Sequence, residues 1–160
     1  MVKERPLGPA VRALRALILA GEQYRQKLAE EVELGLTETQ AISYLTVKGD
    51  RGQSDLAADL GITTSAATAL IDRLEAAGIA TRYPHPHDRR RTLVRLTSKG
   101  HGIVEQSYGW LAAAFERIPE EQLAATTETL LMLAEDLRKK SDTIPGRDRT
   151  FIPSSRSTAR

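Results

Sequence analysis

Between Ile79 and Leu96 the sequence abandons the helical periodicity that governs the rest of the chain. Ile79-Ala80-Thr81-Arg82-Tyr83 and Thr92-Leu93-Val94-Arg95-Leu96 are rich in β-formers, and the second run alternates. Between them lies Pro84-His85-Pro86-His87-Asp88-Arg89-Arg90-Arg91. Proline has no N–H to give to a helix interior or a central strand, so this octapeptide is neither. The pattern predicts a hairpin with an extended basic tip. Set in a helical chain, it makes the fold class mainly α (α+β).

The helices around it are legible from spacing. From Pro9 to Glu33, Val11, Leu14, Ile18, Gly21, Leu28 and Val32 fall on three- and four-residue spacing with Arg25 interrupting the stripe, and Leu17 and Tyr24 widen it. A helix of this length can bury its stripe against a partner chain. Thr37-Glu38-Thr39-Gln40 reads as a capping box that opens a second helix, which Gly49-Asp50-Arg51-Gly52 breaks. Ser54–Leu60 is a short third helix ended by Gly61, and Thr63 suits the cap of a fourth. There Ala67, Leu70, Ile71, Leu74 and Ala77 share one face before Gly78. A fifth helix opens at Thr97-Ser98-Lys99 and runs to about Arg117. A sixth begins near Pro119, with Glu120 and Glu121 at its positive end. From Ser141 the prolines, glycine, serines and arginines read as a basic flexible tail, 141–160. Residues 1–8 form an N-terminal arm.

The net charge of +2 conceals blocks. Residues 1–62 hold eight basic and nine acidic side chains, and residues 63–101 hold seven and three. Residues 102–136 hold only Arg117 against seven acids, and residues 137–160 hold seven bases and two acids. Such a distribution suits an anionic partner at the basic middle. With no cysteine, disulfides, thiolate metal sites and thiol redox switches are excluded. No apolar run approaches the ~20 residues of a membrane span, and no secretory signal is visible, so a cytoplasmic location and no membrane partner are expected.

A short helix, a glycine turn, a capped helix with a polar outer face and a basic hairpin make a winged helix-turn-helix. The second helix of such a pair enters the major groove of double-stranded DNA and uses its N-terminal residues, here Thr63, Thr64, Ser65 and Thr68. Their hydroxyls can bond bases or phosphates, and the helix N-terminus favours a phosphate. Arg89, Arg90 and Arg91 on a slender loop suit a minor groove, where narrow tracts concentrate negative potential.

Four segments carry a family resemblance. They are Leu56-Ala57 through Gly61; Ala69-Leu70-Ile71-Asp72-Arg73-Leu74-Glu75 through Gly78; Asp88-Arg89-Arg90-Arg91; and Leu96-Thr97-Ser98-Lys99-Gly100. With Leu36-Thr37 and Gln40, they resemble the MarR family of bacterial and archaeal transcriptional regulators. The resemblance extends over roughly residues 10–140, judged by the order and spacing of elements. It implies a homodimer formed through N- and C-terminal helices (residues 9–33 and 102–140), with a winged domain at 34–101 on each side. It also implies a pseudo-palindromic operator. Arg90 resembles the arginine that enters the minor groove, and Asp88 the residue that braces the wing by a charge-assisted bond. Arg73 resembles a phosphate contact or a brace for the wing. Gly78 and Gly100 match structural glycines.

Family members bind small aromatic or phenolic effectors where the helices meet beneath the winged domain. Tyr24, Tyr44, Tyr108 and Trp110 are the candidate lining here, and core or dimer interface is the alternative for each ring. The sequence departs from the family at Thr64 and Ala69, where members often carry Lys or Arg. Fewer long donors remain for bidentate base readout, which shifts reliance to the wing and to DNA shape. The histidines before the wing and the basic tail, with Arg138-Lys139-Lys140, are the chain's own features; the tail is either a plain soluble terminus or an extra DNA contact. His85, His87 and His101 cluster, but a metal site needs three or four ligands in defined geometry. Two histidines on an exposed loop are more often solvated, so neither metal nor cofactor is expected. Nothing orients a nucleophile beside Asp88 or excludes water there, which argues against an enzyme. The rival function is a winged-helix protein-interaction module, disfavoured because the proposed face lacks apolar anchors.

Overall fold

The computed structural model describes residues 7–141 and 143–144, and for Arg89 the backbone alone. Most of the arm expected at 1–8 and of the tail expected at 141–160 lies outside the described residues. In chain order the elements are α1 (Leu7–Glu31), α2 (Leu36–Lys48), β1 (Arg51–Gly52), α3 (Gln53–Leu60), α4 (Thr64–Ala76), β2 (Ala80–His85), β3 (Asp88–Leu96), α5 (Ser98–Ala113) and α6 (Glu120–Ser141). They fall into two units, Met1–Ala113 and Ala114–Arg160. No helix among the described residues is long and apolar enough to cross a membrane.

The core of the first unit sits in the winged domain. Ala41, Ile42 and Leu45 of α2, Leu56 of α3, and Leu70, Ile71 and Leu74 of α4 close over Ile79, Ala80, Val94 and Leu96. These are the faces that helical and β spacing mark as apolar. Full burial of a Leu or Ile side chain stabilises by about 1.5–3 kcal/mol, so this cluster dominates the unit. At Gly100 the approach of α5 to the sheet demands the smallest residue: a Cβ there would lie 2.3 Å from the Ile79 carbonyl oxygen. At Gly78, φ of 68° lets the chain turn out of α4 towards β2.

Several local expectations change. The second helix starts at Leu36 with Gly35 as N-cap and no side-chain capping bond, so Thr37 lies inside the first turn and is not the cap. Glu38 does fold back, but over Gly35, where a Cβ would stand 2.0 Å from its Oε2. It is Glu33, with φ of 54°, that takes the left-handed turn after α1, and the Leu34 N–H then returns to the Ala29 carbonyl at 3.0 Å. The helix opened by Thr97 ends at Ala113, short of Arg117, and Pro119 immediately precedes α6. Arg51-Gly52, read as a breaker, forms a two-residue strand on β3, pairing Arg51 with Val94 and Gly52 with Leu93.

The hairpin differs most. Its strands continue through the proline–arginine segment, leaving only Pro86-His87 as the turn. Strand order is β1-β3-β2, all antiparallel, so β2 is an edge strand. Pro84, opposite Thr92, therefore interrupts no central ladder. The consequence is that Arg89, Arg90 and Arg91 lie along β3 and not on a loose tip.

In the second unit, α6 runs for 22 residues and buries none of them. Leu131 and Met132 are 66% and 59% exposed.

Candidate nucleic-acid interface

Two elements build the face: the N-terminal half of α4 and the outer half of the hairpin. Gly61, left-handed at φ 65°, ends α3 and sends its N–H back to the Ala57 and Ala58 carbonyls. Thr63 then caps α4, its Oγ1 accepting from the Ala66 N–H at 3.2 Å. Thr64 and Ser65 are exposed in the first turn, and the Ser65 hydroxyl lies 3.0 Å from that of Thr63. Thr68 is half-buried. Its hydroxyl donates to the Thr64 carbonyl at 2.9 Å and is met by Gln53 Nε2 at 2.6 Å. Gln53 thereby ties the start of α3 to α4, a role not evident from its position in the sequence.

On the wing, the Asp88 carboxylate accepts from the backbone N–H of Arg90 at 3.0 Å. The bond is charge-assisted and fixes the backbone beneath the arginine. The Arg90 side chain is exposed, and no ion pair to it occurs among the described residues. Arg91 reaches Asp55 of α3 at 3.3 Å. At the turn, the His87 N–H donates to His85 Nδ1 at 3.2 Å. No group of three or more possible metal ligands occurs among the described residues.

Arg73 does not reach the wing. Its Nε donates to Glu38 of α2 at 2.7 Å, and a terminal nitrogen donates to the Ala69 carbonyl at 3.3 Å. The residue that joins wing to recognition helix is Arg82, which the sequence reading passed over. Its guanidinium pairs with Asp72 at 2.7 Å and with Glu75, while its backbone N–H donates to Glu75 at 2.7 Å. Burial opposes the Arg82 charge, but the two carboxylates outweigh it and raise its pKa. The available signal was two acids one turn apart on α4, facing a basic residue just beyond the Gly78 turn. At the base of the hairpin, the Tyr83 hydroxyl is bonded to Asp50, which pushes its pKa up, and Arg95 lies over its ring at 4.3 Å.

The four aromatic candidates do not form one site. Tyr108 lines a hollow of about 250 Å³ between α1, α2 and α5, walled by Leu28, Ile42, Val47, Val104 and Leu111. Tyr24 and Trp110 border a separate depression, and the Tyr24 hydroxyl donates to the Ser107 carbonyl at 3.2 Å. Tyr44 lines neither. It packs against the winged core with Lys48 over its ring.

The MarR family profile matches residues 34–92, from the start of α2 into β3. The HTH-type transcriptional regulator YfiV of Bacillus subtilis is 28% identical over 111 residues, covering 67% of this chain and 69% of the relative. Over residues 34–92 the chain carries a segment that matches the MarR family. A MarR family protein from Bacillus stearothermophilus shares the fold, with a TM-score of 0.66 at 21% identity over 86% of this chain and 99% of the other. The MepR–DNA complex of S. aureus aligns with a TM-score of 0.52 at 23% identity, over 76% and 98%. Members of the matched family are transcriptional regulators with a DNA-binding winged helix and are not enzymes.

Proposed function

We propose that the protein acts in the cytoplasm as a homodimeric repressor of a pseudo-palindromic operator. In each copy α4 lies in the major groove and Arg90 enters the adjacent minor groove. The observation that carries this is the pairing of an exposed Arg90, braced through Asp88, with the exposed first turn of α4. MepR, in the same fold, is a protein captured with DNA. A second copy would cover the apolar side chains left open on α1 and on α6.

The hollow beside α5 is the proposed effector site. Thr39, Ser43, Thr46 and Ser107 line it, and each donates its hydroxyl proton to a carbonyl of its own helix. Each therefore keeps acceptor capacity and suits a phenol O–H. No charged side chain lines the hollow, so a carboxylate would enter unpaired, and a neutral phenolic or aromatic ligand fits best. Bound there, such a ligand would shift the freedom of the winged domain and release the operator.

Arg90→Ala should weaken operator binding about ten- to hundredfold in a gel-shift titration while leaving the fold intact. Unchanged affinity would remove the wing from the interface. Log affinity should also fall linearly with log salt.

A further inference from the structure

We propose that α4 selects thymine by its 5-methyl group, so that the major-groove half-sites of the operator are defined by T and not by G. The proposal rests on the reading of α4 as the helix in the major groove. Opposite the buried face of Ala67, Leu70, Ile71 and Leu74, α4 presents Ser65, Ala69, Asp72 and Ala76, with Thr64 on one flank.

Guanine and adenine are selected by bidentate side chains, Arg or Lys for the first and Asn or Gln for the second. Arg73 is the only residue of these types on α4, and it is held against Glu38 and the Ala69 carbonyl. The neighbouring amide, Gln53, donates to Thr68. Asp72 could accept from cytosine, but its carboxylate lies 2.7 Å from the Arg82 guanidinium. The Thr63 hydroxyl serves as the helix cap, and that of Thr68 serves the Thr64 carbonyl and Gln53.

What remains exposed is short: the Ser65 hydroxyl, which lies 3.0 Å from that of Thr63, the Thr64 side chain with its γ-methyl, and the methyls of Ala66 and Ala69. Thymine's methyl is the apolar group on the major-groove edge of the bases, and burying it against such a surface is favourable. The short side chains also let the helix backbone approach the base edges. The departure from long donors at Thr64 and Ala69 thus becomes a specificity and not a deficit.

The test begins by enriching duplexes from a random pool with the full-length protein. The enriched duplex is resynthesised with deoxyuridine for thymidine, one half-site position at a time, which deletes only the methyl. Affinity should fall about fourfold per contacted methyl. Replacing that T·A pair by C·G should weaken binding, and 5-methylcytosine in the same place should recover part of the loss. Thr64→Ser, which keeps the hydroxyl but not the methyl, should weaken binding to the thymidine duplex and leave binding to the deoxyuridine duplex unchanged. Thr64→Val, which keeps the γ-methyl and loses the hydroxyl, should keep the preference for the thymidine over the deoxyuridine duplex. Indifference to uridine at every half-site position, or enrichment of a site that requires guanine in the half-site, would overturn the proposal. A pool yielding no bound duplex would instead overturn the DNA-binding reading beneath it.

Discussion

In the winged domain Leu56, Ile71, Leu74 and Val94 have no accessible surface, whereas α6 buries none of its 22 residues and α1 buries only Leu28 and Ala29 of its 25. Both regions carry apolar side chains at helical spacing. In the first region the partners of those side chains lie within the same 60-odd residues of chain, about half the length of a common domain. In the second, Leu17, Ile18, Leu131, Met132 and Leu137 remain open. Periodicity records that a face is to be covered and is silent about what covers it. The charged residues divide in the same way. Ion pairs of the winged domain join elements far apart in sequence, such as Arg73 with Glu38, while Lys27–Glu30 on α1 and Glu135–Arg138 and Glu135–Lys139 on α6 are local steps of three or four residues.

The largest effect that would sharpen this contrast is in the core. Leu74→Ala should cost about 2–5 kcal/mol by chemical denaturation, at any protein concentration. A loss within about 0.5 kcal/mol, typical of a surface site, would mean the winged domain is not self-sufficient. On α6, Leu131→Asp should shift light-scattering mass from dimer to monomer at micromolar protein while leaving the winged domain folded. A monomer in the unmodified protein would break the homodimer proposal.

Arg82→Ala should cost about 1.5–3 kcal/mol, since two charge-assisted bonds are lost and two carboxylates are left behind. Nuclease footprints should then lose protection at the wing before the major groove. Arg73→Ala removes an exposed arginine from a more sheltered carboxylate and should cost at most about 1 kcal/mol. The smallest effect belongs to Glu135. Hydrogen bonds from Arg138 and Lys139 hold its carboxyl below the usual glutamate range. A lowered pKa adds stability only above that range and loses it as pH falls through the lowered value. Glu135→Gln should therefore lower the melting temperature only slightly from about pH 6 to 8, because solvent screens the pair, and the difference should vanish in acid.

The helix faces, the Thr63 cap and the Gly61 and Gly78 turns were legible because each is a local preference expressed within one turn. The hairpin was legible as a hairpin, but its length was not. The prolines exclude an interior strand only, and Pro84 is admitted because β2 lies at a sheet edge, which a later pairing decides. The same limit hid β1, whose two residues carry no period of their own. At the site, the family resemblance pointed to Asp88 and Arg90, and the Asp88 carboxylate accepts from the Arg90 N–H. The occupancy of Thr68 by Gln53, of Arg73 by Glu38 and of Arg82 by Asp72 and Glu75 was not legible, since each bond joins separate elements.

The sequence by itself determined which residues are apolar, where the chain turns, and that a basic hairpin follows a capped helix with short outer side chains. Those are consequences of backbone preference and side-chain chemistry acting over a few residues. Only the tertiary structure decided which polar groups were already bonded and which stayed open. Hydrogen-bond partners are chosen by proximity in space, and a hydroxyl or guanidinium with a partner in the fold is no longer free to choose a base.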